Sequence, residues 1–324
     1  MTEHPPTPVR LHAADGFTPG GFVWRHGTRS LADGSPRPLA IVNAATSVRC
    51  RYYFRFAVCL HRHGWDVLVY DYRGIGESRP ARLADLDATW LDWGERDFEA
   101  ALRYAREAFA GQPVDVVAHS IGGLVTGLAP SGGSIRRVVT VGAQYAYWRD
   151  YAPRSRLPML LKWHAVMPLL TWMCGYFPAK RLGWMEDTPR GVALSWSRSR
   201  ARFEETHARA PGARSALVTR LAAFTAPVLA ISITDDPFGT TPAIERLLAY
   251  FTHAPRTHLR IAPAQIGVDE IGHFAFFHSR FEETLWPLVV QWLRAEKLPV
   301  DAPGRVVSAI HIAKVIEPSA LVTQ

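Results

Sequence analysis

The run Val114-Asp115-Val116-Val117-Ala118-His119-Ser120-Ile121-Gly122-Gly123-Leu124 constrains the chain more than any other stretch. Val114 to Ala118 spell a buried strand, and small residues follow the serine at once, as a helix leaving a sharp turn requires. A serine at the apex of such a strand–turn–helix corner has strained backbone angles, and its hydroxyl projects clear of the sheet. Strand and helix pass so close there that the positions two before and two after the serine must be small. Ala118 fills the first, where the Gly-x-Ser-x-Gly pattern has glycine, and Gly122 fills the second, with Gly123 adding room. Turns of this composition also occur with no chemistry attached, so the partners of Ser120 decide its meaning.

The flanking sequence alternates strands with helices. Residues 8–15 and 21–27 read as an antiparallel pair, followed by strands at Leu39–Asn43, Trp65–Asp71, the elbow, Ile135–Val141, Pro227–Thr234 and Thr257–Ala262. Helices are expected over Tyr52–His63, Trp90–Ala110, Arg214–Phe224, Pro242–Phe251 and Arg280–Glu296, the first two ending at Gly64 and Gly111. This pattern predicts an α/β fold with a mostly parallel, eight-stranded sheet and right-handed crossovers, whose sites lie at the C-terminal ends of the strands. A chain of 324 residues, 48% of them hydrophobic, is long enough for one such domain with an insertion. From 143 to 211 the alternation stops and Trp, Tyr, Pro and Arg become dense. The reading is a core of residues 1–142 and 212–297, an inserted helical cap at 143–211, and a tail at 298–324 of undecided structure. Trp148, Trp163, Trp172, Tyr176, Phe177, Trp184 and Trp196 give the cap an aromatic surface, which more often builds a cap's own core than a substrate contact.

Several function classes drop out. The net charge is +8, but the basic residues are scattered, with no lysine-rich tail or aromatic-interleaved basic stripe. That suits solubility and some attraction to anionic surfaces, not nucleic-acid recognition. Cys50, Cys59 and Cys174 have neither redox nor metal-ligand spacing and fit reduced thiols in a cytoplasmic protein. Met1 to Pro8 lacks a basic region followed by an apolar run, so no secretory leader is expected. The apolar stretch Leu157–Phe177 is broken by Pro158, Lys162, His164 and Pro168, which argues for short amphipathic helices over a membrane span. No His/Asp/Glu group has zinc spacing, and Gly74-Ile75-Gly76 lacks the third glycine of a dinucleotide fingerprint, so neither metal nor cofactor is expected. Asp71 and Glu77 are read as ion-pair partners of Arg73.

Three candidates fall at strand ends in the order Ser120, Asp236, His273, the chain order of a Ser…acid…His triad on a parallel α/β sheet. From about residue 8 to 296 the chain resembles an α/β hydrolase of the serine-esterase and serine-aminopeptidase kind. It looks most similar to a bacterial branch carrying Asn-Gly-Ala-Thr-Gly, Tyr-Asp-Tyr-Arg-Gly-Ile-Gly and Gly-His-Phe-Gly-Phe-Phe. Here these read Asn43-Ala44-Ala45-Thr46-Ser47, Tyr70-Asp71-Tyr72-Arg73-Gly74-Ile75-Gly76 and Gly272-His273-Phe274-Ala275-Phe276-Phe277, so two loop glycines have become Ala44 and Ser47. Some bacterial lipases are similar in having Ala-His-Ser-x-Gly.

The resemblance implies roles. Ser120 attacks an acyl carbonyl, His273 takes and returns the proton, and Asp236, second residue of Asp-Asp-Pro, fixes the imidazole tautomer. Its neighbour Asp235 is the rival for that role, but capping the helix near Thr241 suits it better. The oxyanion would be met by the backbone N–H groups of Ile121 and Ala45, while His119 is assigned to packing. The expected activity is hydrolysis of a small or medium carboxylic ester, with a thioester or amide as variants and an apolar acyl or aromatic substrate suggested by the cap. An acyltransferase with the same triad and a non-catalytic binding protein are the alternatives. Oligomeric state is not legible.

Overall fold

A computed structural model describes residues 5–208 and 210–311. The strands are β1 (Thr7–Arg10), β2 (Gly20–Trp24), β3 (Leu39–Asn43), β4 (Asp66–Tyr70), β5 (Val114–His119), β6 (Ile135–Val141), β7 (Tyr176–Phe177), β8 (Thr188–Pro189), β9 (Val228–Ile233), β10 (Arg256–Ile261) and β11 (Arg305–Ile310). Nine of them form one sheet in the order β1-β2-β4-β3-β5-β6-β9-β10-β11, and β7 pairs with β8. From β4 to β10 every neighbour is parallel, while β1, β2 and β11 are antiparallel additions at the two edges.

The sheet thus has nine strands, where the sequence predicts eight. The ninth comes from the tail: Arg305–Ile310 pairs with β10 and covers its free backbone edge. Its burial is only partial, so the short apolar run around Val306 gives little periodic signal. Tail residues beyond 311 lie outside the described residues.

Physical necessity is clearest in the middle of the sheet. β3, β4 and β5 are buried at every position, as parallel strands covered by helices on both faces must be. The polar residues they carry are satisfied internally. Asp115 accepts from the Trp65 indole and from Arg136. Asn43 donates to Thr126 Oγ1 and accepts from the Tyr70 hydroxyl. Each such bond removes the cost, about 1–3 kcal/mol, of a buried polar group left unpaired.

Helices cover Phe54–Arg62, Glu99–Ala108, Ile121–Leu128, Ala213–Ala222, Thr241–Leu248 and Trp286–Ala295. The expected helix over Trp90–Ala110 has a π-helical segment at Trp93–Phe98. There Gly94 brings the helix against Leu128, where a Cβ would come within 2.4 Å. Between β6 and β9 the chain leaves the sheet. It forms a helical run from Arg156 to Cys174 with a π turn at Lys162–Val166, then the β7/β8 pair and helices at Arg190–Ser197 and Phe203–His207. Among the described residues no helix is long and apolar enough to cross a membrane.

One electrostatic reading is corrected. Arg73 is not paired with Asp71 or Glu77. It is buried and bonded to Asp97 and Asp15, which lie far from it in sequence, whereas the earlier expectation used only neighbours. The Asp71 carboxylate accepts the N–H groups of Cys50 and Glu77, and Glu77 pairs with Arg51. Burial pushes Asp71 up to about 6 and raises the Cys50 thiol well above its usual range. The latter suits an inert thiol.

Candidate active site

Ser120 ends β5 and starts the helix Ile121–Leu128 with φ 55° and ψ −121°. Non-glycine residues rarely occupy this region, and they do so where the surrounding structure over-determines them. The corner is as tight as the small residues imply: a Cβ on Gly122 would lie 2.4 Å from the Asn43 carbonyl oxygen, and one on Gly123 2.6 Å from the Ala143 methyl.

Asp236 follows β9, and His273 sits in the loop after β10. The structure brings the three distant residues into one chain of hydrogen bonds. His273 Nε2 lies 3.0 Å from Ser120 Oγ, and His273 Nδ1 lies 2.7 Å from Asp236 Oδ2. All three are buried. Burial alone would raise the Asp236 pKa, but the His273 imidazole and the N–H groups of Gly239 and Phe238 outweigh it and hold the carboxyl below its ordinary value. A base, a hydroxyl and a carboxylate arranged in this way can lower the barrier to nucleophilic attack by the serine oxygen.

Asp235 has a different task from the one expected. Its Oδ2 accepts the N–H groups of Ile271 and Gly272 at 2.9 and 3.0 Å, directly before His273. The cap of the Thr241–Leu248 helix is instead Thr240, whose side chain accepts from Ala243. A side chain that bonds across 36 residues leaves no local sequence signal, whereas the helix cap was the nearest available partner.

Around these three residues lie others that the sequence did not single out. Gly142, at the end of β6 with φ +58°, presses against it: a Cβ there would lie 2.9 Å from Asp236 Oδ2 and 3.1 Å from His273 Cε1. A Cβ on Gly239 would meet the same oxygen at 2.4 Å. A glycine at the C-terminal end of a sheet strand was the available clue to the first. Gln144 faces Ser120, its Nε2 3.4 Å from Oγ.

Ala45 and Ile121 both border the cavity beside Ser120. Ile121 is the first residue of its helix, so its N–H has no intrahelical acceptor. The Ala45 N–H donates to the Tyr53 hydroxyl at 3.0 Å. Ser47 has a left-handed backbone, φ 58°, a geometry that favours glycine. Its hydroxyl bonds Thr188 and its carbonyl accepts from Glu186, which tie this loop to the segment between β6 and β9.

Ser120 and His273 border a cavity of about 440 Å³. Met159, Trp163, Trp184 and Trp196, from the segment between β6 and β9, contribute to its apolar wall together with Trp90 and Phe238. Phe177 is buried away from it, Trp148 and Tyr176 are half-buried, and Trp172 is exposed.

A sequence profile described as the Alpha/beta hydrolase family matches residues 19–285. The chain belongs to the alpha/beta hydrolase family. Solved structures share this hydrolase's fold. A soluble variant of the Saccharomyces cerevisiae monoglyceride lipase, in complex with a substrate analog, is 15% identical with a TM-score of 0.62. The match covers 92% of this chain and 98% of that one. The Pyrococcus furiosus esterase Pf2001 is 14% identical with a TM-score of 0.57, over 90% and 91% of the two chains. The Paleococcus ferrophilus monoacylglycerol lipase is 13% identical with a TM-score of 0.52, over 90% and 100%. No curated protein sequence matches the chain.

Elsewhere in this hydrolase, His26, His61 and Asp66 bring potential ligand atoms within 4.8 Å of one another, a grouping that no sequence spacing announced. Those atoms already have hydrogen-bond roles: Asp66 accepts from the His26 N–H and from Gln112, and His61 Nδ1 faces the Trp65 carbonyl. None of the three borders the Ser120 cavity.

Proposed function

We propose that this chain is a cofactor-independent serine hydrolase that cleaves a carboxylic ester through an acyl-enzyme on Ser120. The observation that carries the reading is the unbroken relay from Ser120 Oγ through both His273 nitrogens to Asp236. His273 Nε2 takes the Ser120 proton as Oγ attacks the ester carbonyl. Nδ1–H remains bonded to Asp236, which stabilises the imidazolium. The carbonyl oxygen, now an oxyanion, is received by the N–H groups of Ile121 and Ala45, the latter exchanging its Tyr53 acceptor for the stronger, charged one. His273 then protonates the departing alcohol. In the second half it deprotonates water, which releases the acid and restores Ser120.

Residues 143–211 act as a cap, and the apolar cavity beneath it suits a small or medium apolar acyl group. A cytoplasmic setting fits the free thiols of Cys50, Cys59 and Cys174. A fluorophosphonate probe tests the reading: mass spectrometry should find the label on Ser120 alone. Unlabelled protein that turns over no p-nitrophenyl ester would overturn it.

A further inference from the structure

The helical run from Arg156 to Cys174 is apolar on two opposite faces, and the structure buries only one of them. Met159, Trp163, Met167 and Thr171 point inward, all under 9% exposed. Two residues out of step, Leu157, Leu161 and Leu169 are exposed by 73, 63 and 55%, and the same outer side ends in Trp172 and Met173 at 76 and 65%. A spacing of four would drift around a 3.6-residue helix, but the π turn at Lys162–Val166 takes up part of that drift and keeps the stripes aligned. A helix apolar all round is expected in a core or against lipid, not in water. A contiguous row of large exposed side chains marks an interaction site.

Charge identifies the partner. Between Asp150 and Glu186 there is no carboxylate, while Arg154, Arg156, Lys162, Lys180 and Arg181 are all cationic. Lys162, in the middle of the run, holds its ammonium 3.8 Å from the Trp184 ring centroid. Apolar side chains on an exposed helix face, in a segment of one sign of charge, are what an anionic bilayer surface selects. A second protein would give the cations acidic partners, and nothing in the outer face itself supplies them for self-association.

We infer that the outer face of the Arg156–Cys174 run docks on an anionic lipid surface, with Leu157, Leu161, Leu169, Trp172 and Met173 entering the headgroup region. The inner side of the same run supplies Met159 and Trp163 to the cavity over Ser120, and Pro158 and Lys162 border it. Docking therefore brings the cavity wall to the lipid surface. On the esterase reading above, and resting on it, the substrate class is an ester partitioned into the bilayer.

The test is cosedimentation of the full chain with vesicles of phosphatidylcholine alone or mixed with phosphatidylglycerol. At least tenfold more protein should pellet with the anionic vesicles, falling severalfold as salt is raised. Leu161→Asp combined with Trp172→Asp should abolish the difference while leaving Tm unchanged, because both side chains are exposed. Equal or no binding to the two vesicle types by the wild-type chain overturns the inference. So does a wild-type dimer in solution that the double variant makes monomeric, since the face then belongs to a second copy. Loss of soluble p-nitrophenyl ester turnover in the wild type would sink the esterase reading without touching vesicle binding, so the two failures are separable.

Discussion

His119 Nε2 lies 2.9 Å from the His273 carbonyl oxygen, and this contact fixes the tautomer of His119. A carbonyl only accepts, so Nε2 carries the proton and Nδ1 must accept from the Tyr53 hydroxyl at 2.8 Å. The Tyr53 oxygen in turn accepts from the Ala45 N–H. One neutral imidazole thereby links the loop after β3 to the loop carrying the catalytic-base candidate, a larger role than the packing expected of it.

That arrangement has a pH signature. Burial, reinforced by the neighbouring His273 imidazole, pushes His119 down to about 3 from an ordinary 6.5. The folded protein holds this residue neutral while the unfolded chain protonates it, so the stability it contributes is present above pH 6.5 and lost as pH falls towards 3. At about 1.4 kcal/mol per pH unit below the unfolded value, acidification from pH 7 to about 4.5 should remove about 2.5 kcal/mol through this group. Urea unfolding of wild type and His119→Asn checks it: the stability gap between them should narrow by that amount at the lower pH. An equal gap at both values counts against it.

Asp236→Ala and Asp235→Ala should both impair turnover, but unequally. Loss of the Asp236 carboxylate removes the partner of His273 Nδ1 and should lower kcat roughly 10³–10⁴-fold. Loss of Asp235 frees the Ile271 and Gly272 amides and lets the histidine loop shift, a positioning error that costs roughly ten- to a hundredfold. A residue that only capped the helix starting at Thr241 would cost little turnover when replaced. Steady-state kinetics on one soluble ester distinguish the two outcomes.

Gly142→Ala and Gly239→Ala test the packing around the relay. Each new methyl would collide with Asp236 Oδ2, at 2.9 and 2.4 Å, and Gly142 also has a positive φ that costs alanine about 1 kcal/mol or more. Both variants should lose kcat more than they raise KM, because the collision displaces the Asp236–His273 pair rather than the cavity wall. A rise in KM alone would place the damage in substrate binding.

These contrasts show where the sequence was legible. The elbow was readable because its chemistry is local: Ala118, Ser120, Gly122 and Gly123 sit within six residues, and steric limits act on each. The central strands were readable because complete burial leaves an apolar run. What stayed hidden acts across distance. Arg73 found Asp97 and Asp15, and Asp235 found the amides of Ile271 and Gly272. Neither pairing has a periodicity or spacing. β11 was ambiguous for another reason: an edge strand with four of its six residues exposed carries little hydrophobic alternation.

The cavity predicts a chain-length profile. Met159, Trp163, Trp196 and Phe238 offer apolar wall but little hydrogen bonding. Each methylene buried there should add about 0.8 kcal/mol, or roughly fourfold in kcat/KM, until the space is filled. A series of p-nitrophenyl esters from acetate upward should therefore climb and then level off. A flat series would mean that the acyl chain lies outside the cavity.

Tyr53→Phe asks what the Ala45 amide does. With the hydroxyl gone, His119 Nδ1 loses its donor and the Ala45 N–H loses its acceptor. Stability should fall by about 1–3 kcal/mol, the cost of buried polar groups left unpaired. Turnover should behave differently. If Ala45 receives the oxyanion, the Tyr53 oxygen competes for the same proton in the ground state, and its removal should leave kcat within about threefold of wild type. An oxyanion-hole donor is itself worth about 10²–10³ in kcat. A hundredfold loss in Tyr53→Phe would therefore mean that the hydroxyl holds the amide in its working orientation, and that the Ala45–Tyr53 bond persists through the reaction instead of being exchanged.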